Sequence, residues 1–179
     1  LDREEPKRIA WLQCVGSRDT NRCGNGYCSS VCCMYAIKEA MIAKEHAHGD
    51  LDCVIFNMDI RTFGKDYEKY YLRAKDQEGV RFSKARIHTI SEIPETGDLQ
   101  VQYVDEDGTQ AEETFSMVVL SVGLGIPQTS VELARRLDIE LNRYNFVETD
   151  PFAPVATSRP GIYTCGLFQG PKDIPGSIT

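Results

Sequence analysis

Five of the chain's seven cysteines lie between positions 14 and 33, and this cluster constrains the fold and the chemistry more than any other feature. Thiolates are soft ligands that suit iron–sulfur clusters, zinc and copper(I). Cys28 and Cys32 are four residues apart, so one helical turn would place them on the same face. Cys33 points about 100° away, so one helix offers all three sulfurs only at its start or at a kink. Ser29 and Ser30 are candidate N-cap residues there, and a helix N-terminus is expected to lower a thiol pKa.

Length and composition limit the classes of protein to which the chain can belong. Its 179 residues are enough for one domain or two small ones. The net charge of −7 argues against a nucleic-acid-binding surface, which is normally basic. No apolar run is long enough to span a membrane, and clustered cysteines in odd number favour a reducing, cytoplasmic compartment. The charged start, and a helix that begins near position 174, lead us to expect a piece of a longer protein.

The first third of the chain has the pattern of a strand–helix–strand unit. An apolar run over residues 9–13 predicts a buried strand, followed by a loop that holds Cys14. Apolar residues at helical spacing predict a helix over 30–47, and a second apolar run predicts a strand over 51–58. Strands joined by a helix run parallel in α/β proteins. We therefore predict an α/β fold with a Rossmann-like parallel sheet.

The middle of the chain adds a helix and an antiparallel hairpin. Asp66 is a candidate N-cap for a helix over 67–77, and a turn at Asp107-Gly108 joins strands over 99–104 and 112–122. The last six residues of that hairpin are almost all apolar, so we expect them at the centre of the sheet. A domain boundary is expected at 122–127. The remaining predicted elements are strands at 80–82, 86–93, 139–141, 146–148 and 162–165 and a helix at 129–137.

The end of the chain resembles a known group of flavoproteins. Arg159-Pro-Gly-Ile-Tyr163, followed by Gly166, is similar to the C-terminal part of the thioredoxin-reductase-like proteins with two dinucleotide-binding domains. In that group the flavin domain is split in sequence by an inserted nicotinamide-type domain. The resemblance implies that residues 1–122 are the inserted Rossmann-like domain and that 123–179 are the C-terminal piece of a split FAD-binding domain.

Four motifs resemble a narrower family, the heterodisulfide reductase A-like flavoproteins. They are Gln13-Cys-Val-Gly-Ser-Arg18, Tyr27-Cys-Ser-Ser-Val-Cys-Cys33, Asp59-Ile-Arg-Thr-Phe-Gly64 and Phe168-Gln-Gly-Pro-Lys-Asp-Ile-Pro175. The resemblance implies FAD and [4Fe–4S] cofactors and an oxidoreductase that passes electrons between partner subunits. It also implies assembly with other subunits of a heterodisulfide-reductase-like or hydrogenase complex. Formation of a homodimer is an alternative that the resemblance leaves open.

The resemblance assigns roles residue by residue. Cys14, Cys28, Cys32 and Cys33 match the ligands of a four-iron cluster close to the flavin, and Lys38 matches a catalytic lysine near the reactive flavin N5. The turn that lies against FAD matches Gly166, Phe168, Gln169, Gly170, Pro171, Lys172, Asp173 and Ile174. The Gly-Asp pair usual at this turn in the wider group is Gly166-Leu167 here, and the glycine-rich pyrophosphate fingerprint is absent. We therefore expect this chain to hold FAD weakly or not at all.

Each assignment has a structural alternative. The thiols could bind zinc or remain buried and metal-free, although adjacent ligands suit zinc poorly. Cys23 is expected to be a loop thiol and Cys53 a core residue. Lys38 could be a solvated helix lysine, and Asp173 could cap the final helix.

Three functional hypotheses follow. The first is electron transfer between FAD and a [4Fe–4S] cluster. The alternative, from a different class, is a non-catalytic metal-stabilised domain that docks partner subunits. The third is a nicotinamide-dependent thiol or disulfide reductase, which the strain of an adjacent-residue disulfide disfavours.

Overall fold

The structure, a computed structural model, describes residues 5–178 and divides into two units. The first unit contains the residues up to Val15 together with Cys32–Val122. The second contains Gly16–Val31 and the residues from Gly123 onward. The assignment of 1–122 and 123–179 to two flavoprotein domains remains a prediction. Among residues 5–178, no helix combines the length and the apolar character needed to cross a membrane.

The first unit contains two sheets. The strands are β1 (Arg8–Val15), β2 (Asp52–Asn57), β3 (Arg81–Lys84), β4 (Ile87–Glu92), β5 (Leu99–Val104), β6 (Gln110–Phe115) and β7 (Met117–Val122). A parallel sheet has the strand order β3-β2-β1-β7, and an antiparallel sheet has the order β4-β5-β6. This arrangement confirms the predicted α/β class with a parallel sheet and an antiparallel hairpin.

The parallel sheet buries both of its faces. Helices α1 (Cys32–His46) and α2 (Tyr67–Asp76) pack on the face that carries Trp11 and Cys53. The opposite face carries Leu12 and Phe56 and packs on residues of the antiparallel sheet. Neighbouring residues of β1 and β2 therefore point into different clusters, as the two-residue period of a strand requires. Because both faces are covered, these strands have near-continuous apolar sequences.

The strand predicted over 112–122 is broken at Ser116. The Ser116 hydroxyl accepts hydrogen bonds from the backbone N–H groups of Lys7 and Arg8, at 3.2 and 3.3 Å. On either side of it, β6 belongs to the antiparallel sheet and β7 to the parallel sheet. The prediction that 117–122 is central was wrong, because within residues 5–178 β7 pairs only with β1 and forms the sheet edge.

The second unit has little regular structure. It contains α3 (Gln128–Leu137), a 3₁₀ helix (Gly166–Phe168) and α4 (Ile174–Ile178). The strands predicted at 139–141 and 146–148 reduce to one antiparallel bridge, Leu141–Val147. The strand predicted at 162–165 reduces to a bridge from Tyr163 to Ala156. These segments are too short to form a sheet, so turns and side-chain hydrogen bonds hold them instead.

Candidate functional site

Strand β1 ends in a bulge at Cys14. Its pairing with β7 is regular from Ile9 to Leu12 and then shifts between Leu12 and Val15. Cys14 lies inside this shift and has a φ of 63°, the left-handed conformation that few residues other than glycine adopt. Bulges turn a side chain away from the direction a regular strand would give it. We predicted Cys14 as a loop residue, whereas it lies at a distorted position within β1.

Cys32 and Cys33 are the first two residues of α1, and both are buried. The Cys32 side chain is hydrogen-bonded to those of Cys14 and Cys33. The Sγ of Cys33 also lies 3.9 Å from the backbone carbonyl oxygen of Asp59, to which it donates. Three of the four predicted ligand thiols therefore come together within the first unit.

The environment of Cys32 favours a protonated thiol. The side-chain hydrogen bond with Cys14 lowers the pKa of Cys32, but the bond with Cys33 and burial outweigh it and raise that pKa to about 11. We expected the helix N-terminus to lower the thiol pKa. For Cys32 that expectation was wrong, because desolvation and the neighbouring thiol have the larger effect.

Gln13, next to Cys14, has a buried side-chain oxygen that accepts no hydrogen bond from the described residues 5–178. Its amide nitrogen donates to the Ser121 hydroxyl at 2.9 Å. A buried amide oxygen without a donor is costly. The sequence motif contains Gln13, but nothing in its spacing distinguished this side chain from a surface glutamine.

Cys28 belongs to the second unit, in the loop formed by residues 16–31. Its sulfur accepts a hydrogen bond from the backbone N–H of Ser30 at 3.3 Å. Ser29 does not cap α1, because its hydroxyl pairs with that of Ser17 and accepts the N–H of Leu124. Cys23 is an exposed residue of the same loop. Sequence reasoning missed Ser17, whose only signal was its place three residues after the predicted ligand Cys14.

The thiols are the right ligand type for a cluster, but their positions do not form a ready-made metal site. Cys14, Cys32 and Cys33 supply the soft ligands that iron–sulfur clusters and zinc use. Within the part of the chain that the structure describes, no three side chains of His, Cys, Asp or Glu are arranged so as to hold a metal ion. A metal site here therefore requires the thiols to lose protons and to adjust their positions.

Lys38 lies on the exposed side of α1. The adjacent residue Ile37 is fully buried, and Glu39 accepts a hydrogen bond from the Trp11 indole at 3.0 Å. This exposed position agrees with the structural alternative for Lys38, a solvated lysine on the helix surface. Its role near a flavin remains a prediction.

The turn over 166–174 lies in the second unit and is held by hydrogen bonds to Pro154 and Val147 and by a side-chain bond within the turn. Gly166 has a φ of 62°, a conformation that favours glycine. Gln169 donates to the Pro154 carbonyl and accepts from Lys172, and the Phe168 carbonyl accepts from the N–H of Val147.

The carboxylate of Asp173 accepts the N–H of Gly176 at 2.8 Å, at the start of α4. This bond agrees with the capping alternative for Asp173. Whether the turn contacts a cofactor remains a prediction.

Comparison with known proteins identifies the family. The sequence pattern of the pyridine nucleotide-disulphide oxidoreductases matches residues 3–178. The chain is 46% identical over 180 residues to the A-type subunit of the H(2)/formate:CoB-CoM heterodisulfide,ferredoxin reductase of Methanococcus maripaludis. It is 44% identical over 180 residues to the A-type iron–sulfur subunit of the CoB–CoM heterodisulfide reductase of Methanocaldococcus jannaschii. Both alignments cover 99% of this chain but only 27% of the relative, so the chain spans about a quarter of their length.

Solved structures of low identity share the fold. Thioredoxin reductase from T. acidophilum matches with a TM-score of 0.58 and 17% identity, over 96% of this chain and 48% of that one. Thioredoxin reductase from Lactococcus lactis matches with the same TM-score and 19% identity, over 93% and 46%. The resemblance to the heterodisulfide reductase A-like flavoproteins is confirmed by the relatives, and the chain belongs to the pyridine nucleotide-disulphide oxidoreductase family.

Proposed function

We propose that this chain is a segment of a heterodisulfide-reductase-like oxidoreductase that passes electrons between FAD and a [4Fe–4S] cluster. The predicted ligands are Cys14, Cys28, Cys32 and Cys33. The observation that carries the proposal is the meeting of Cys14, Cys32 and Cys33 at the end of β1 and the start of α1. Cys28, the fourth, precedes Cys32 by four residues.

The chain's residues have distinct tasks in this proposal. The β1 bulge directs the Cys14 thiol toward Cys32, and the first turn of α1 supplies two further sulfurs. Because the hydrogen bond with Cys33 and burial raise the pKa of Cys32, this thiol must lose its proton when a cluster binds, so uptake of a cluster is coupled to proton release. A bound [4Fe–4S] cluster would supply one-electron chemistry.

The flavin contribution of this chain is partial. Gly166 and the turn Phe168–Ile174 are the residues that would lie against FAD, and hydrogen bonds to Val147, Pro154 and Gly176 tie the turn to its neighbours. Lys38 is proposed to place a positive charge near the flavin, where it would favour the anionic reduced form. A bound flavin would supply chemistry in one- and two-electron steps. In the intact protein, the remaining subunits of a heterodisulfide-reductase-like complex are the proposed donors and acceptors of electrons.

Anaerobic reconstitution with iron and sulfide tests the ligand set. We expect about four irons per chain, visible absorbance and an EPR signal after reduction by dithionite. Alanine at Cys14, Cys28, Cys32 or Cys33 should abolish iron binding. The matched control is Cys23→Ala, which removes an exposed thiol of the same loop and should bind iron as the parent does.

Two results would contradict the proposal. A chain that stays colourless while holding zinc tightly would favour the metal-stabilised docking domain. Loss of iron in Cys23→Ala together with retention of iron in Cys28→Ala would show that Cys23, and not Cys28, is the fourth ligand.

A further inference from the structure

The loop over residues 16–31 contains two buried serines whose hydroxyls are paired. Ser17 is 1% exposed and Ser29 is fully buried, and their oxygens lie 3.1 Å apart. The Ser17 oxygen is also 3.1 Å from the Tyr27 carbonyl oxygen and 3.2 Å from the Ser29 backbone nitrogen. The Ser29 oxygen accepts the N–H of Leu124 at 2.9 Å. All of these residues belong to the second unit.

The direction of each hydrogen bond in this group follows from the number of protons. A carbonyl oxygen only accepts, so the single hydroxyl proton of Ser17 is donated to Tyr27. Ser29 must then donate its own proton to Ser17, while it accepts the N–H of Leu124. The donors therefore run in one order from Leu124 through Ser29 and Ser17 to Tyr27, and every proton is used. Such an ordered, buried chain is rigid, because each member would be left unsatisfied by the loss of its neighbour.

The Ser17 hydroxyl holds the backbone on both sides of Cys28. It binds the carbonyl of the residue before Cys28 and the N–H of the residue after it. The Tyr27 side chain is fixed as well, because its hydroxyl donates to the Leu124 carbonyl at 2.6 Å and its ring contacts those of Tyr144 and Phe146. Little freedom is left for the backbone at Cys28.

The same geometry directs a donor at the Cys28 sulfur. The N–H of Ser30 lies 3.3 Å from Cys28 Sγ, and Ser30 has the left-handed φ of 66°. Hydrogen bonds to the sulfurs of a cluster are among the factors that set its reduction potential. A donor stabilises the added negative charge of the reduced state, so this bond should raise the potential.

We propose that Ser17 is a positioning residue for Cys28. By binding the backbone on both sides of Cys28, Ser17 holds the Cys28 sulfur against the N–H donor of Ser30. The inference deepens the proposed function and rests on it, because it assigns to one ligand a built-in hydrogen bond that tunes the cluster. Ser17 acts only through Cys28 and its neighbours.

Hydrogen exchange on the metal-free chain tests whether Ser17 fixes the backbone around Cys28. In Ser17→Ala we expect the amides of Ser29 and Ser30 to exchange more than about tenfold faster than in the parent, while core amides of β2 keep their rates. Ser29→Ala is the matched variant, since it removes the other buried hydroxyl but leaves both Ser17 bonds to the backbone. It should accelerate exchange at Leu124 and leave Ser30 within about twofold of the parent.

Potentiometry on the reconstituted chain tests whether Ser17 affects the reduction potential of the cluster. Ser17→Ala should keep about four irons, shift the EPR spectrum and lower the midpoint potential of the cluster. Ser116→Ala is the control, because its hydroxyl also holds two backbone N–H groups, but in the first unit. That variant should leave the spectrum and the potential of the parent unchanged.

The outcomes separate this inference from the function on which it rests. Unchanged exchange at Ser29 and Ser30 in Ser17→Ala, or an unchanged potential, overturns the role of Ser17. Failure of the parent to take up iron overturns the proposed function, and the exchange data then decide alone whether Ser17 fixes the Cys28 backbone. If Ser17→Ala unfolds, the parent itself decides, since a Ser29 amide that exchanges as fast as exposed loop amides contradicts the proposal.

Discussion

At the scale of single residues, the cysteines differ sharply in their environments. Cys53 lies in β2 with no exposed surface, and burial raises the pKa of its thiol to about 11. Its Sγ donates to the carbonyl of Ala40 at 3.8 Å. The expectation that Cys53 is a core residue is therefore confirmed, and Cys23 and Cys165 are exposed.

Alkylation should reveal this difference. With iodoacetamide at pH 8, we expect Cys23 and Cys165 to react first and Cys53 to react more than about 100-fold more slowly, because thiolate is the reactive form and a pKa near 11 leaves little of it. Peptide mass spectrometry of timed samples measures the rates. In denaturant all three should react alike. Modification of Cys53 in the folded chain at the rate of Cys165 would contradict its enclosure.

The sequence predicted which residue types form the site better than how they are held. Spacing and resemblance singled out Cys14, Cys32 and Cys33, and the structure brings these three thiols together. Neither the left-handed backbone at Cys14 nor the pairing of Ser17 with Ser29 could be foreseen. Both depend on contacts between segments distant in sequence, which local propensity does not encode.

At the scale of secondary-structure elements, the sequence located the helices closely and mistook one strand. Helices predicted over 30–47 and 67–77 appear as Cys32–His46 and Tyr67–Asp76. The break at Ser116 was missed because no glycine or proline marks it and strand residues continue directly on both sides of it. The edge position of β7 was missed because an apolar run does not distinguish a central strand from an edge strand.

Phe56 links the two sheets of the first unit. Its ring is 1% exposed and contacts the rings of Tyr103 and Phe115, at centroid distances of 4.9 and 5.9 Å. We expect Phe56→Ala to lower the free energy of unfolding by about 3–5 kcal/mol, because it removes a large buried side chain and leaves a cavity. Urea denaturation followed by circular dichroism measures the loss.

The control for Phe56→Ala removes the same ring from the surface. Phe152 is 98% exposed, so Phe152→Ala should change the free energy of unfolding by no more than about 0.5 kcal/mol. Equal effects of the two substitutions would contradict the packing of Phe56.

A group of ion pairs joins β1, β2, β3 and β6. Arg8 and Arg81 both bind Asp52 and Glu113. Hydrogen bonds from Arg81 and Arg8 lower the pKa of Asp52 despite its partial burial. Burial raises the pKa of Glu113, but hydrogen bonds from Arg81, Tyr103 and Arg8 outweigh it, so this pKa is also lowered.

These lowered pKa values predict a loss of stability in acid. A carboxyl whose pKa is lower in the folded state stabilises the fold fully above its unfolded pKa, about 4, and this contribution is lost as the pH falls through the folded pKa. We expect the melting temperature to fall below about pH 4, and to fall less steeply in Glu113→Gln. The exposed neighbour Glu112 provides the control, since Glu112→Gln should keep the parent's acid dependence. Parallel profiles for the parent and Glu113→Gln would refute the contribution of Glu113.

At the scale of the whole molecule, the chain leaves the first unit and returns to it. Residues 16–31 belong to the second unit, although the residues on both sides of them belong to the first. The side chains of Tyr27 and Ser29 bind the backbone of Leu124, and the Tyr27 ring contacts Tyr144 and Phe146. The sequence pointed to a boundary at 122–127 but gave no sign of this excursion, because the loop carries no pattern of its own.

Truncation after Val122 tests this division. We expect the shortened chain to keep the slow amide exchange of β1 and β2, because both hydrophobic clusters of the first unit lie before that point. Residues 16–31 should lose their protection, because Leu124, Tyr144 and Phe146 are missing. Hydrogen exchange with mass spectrometry compares the shortened chain with the parent. Retained protection of Ser29 would show that this loop folds without the later residues.

The division also sets an order of events during translation. The loop 16–31 is synthesised about 90 residues before Gly123, the first residue of the segment that completes its unit. At roughly 5–20 residues per second, the ribosome takes about 5–20 s to make that stretch. During this interval the loop that carries Cys28 lacks its contacts with Leu124, Tyr144 and Phe146, while the first unit gains its strands. A nascent chain of this protein therefore carries the Cys28 thiol in an incompletely held loop for several seconds, a period in which an oxidant or a metal ion can react with it before the loop is complete.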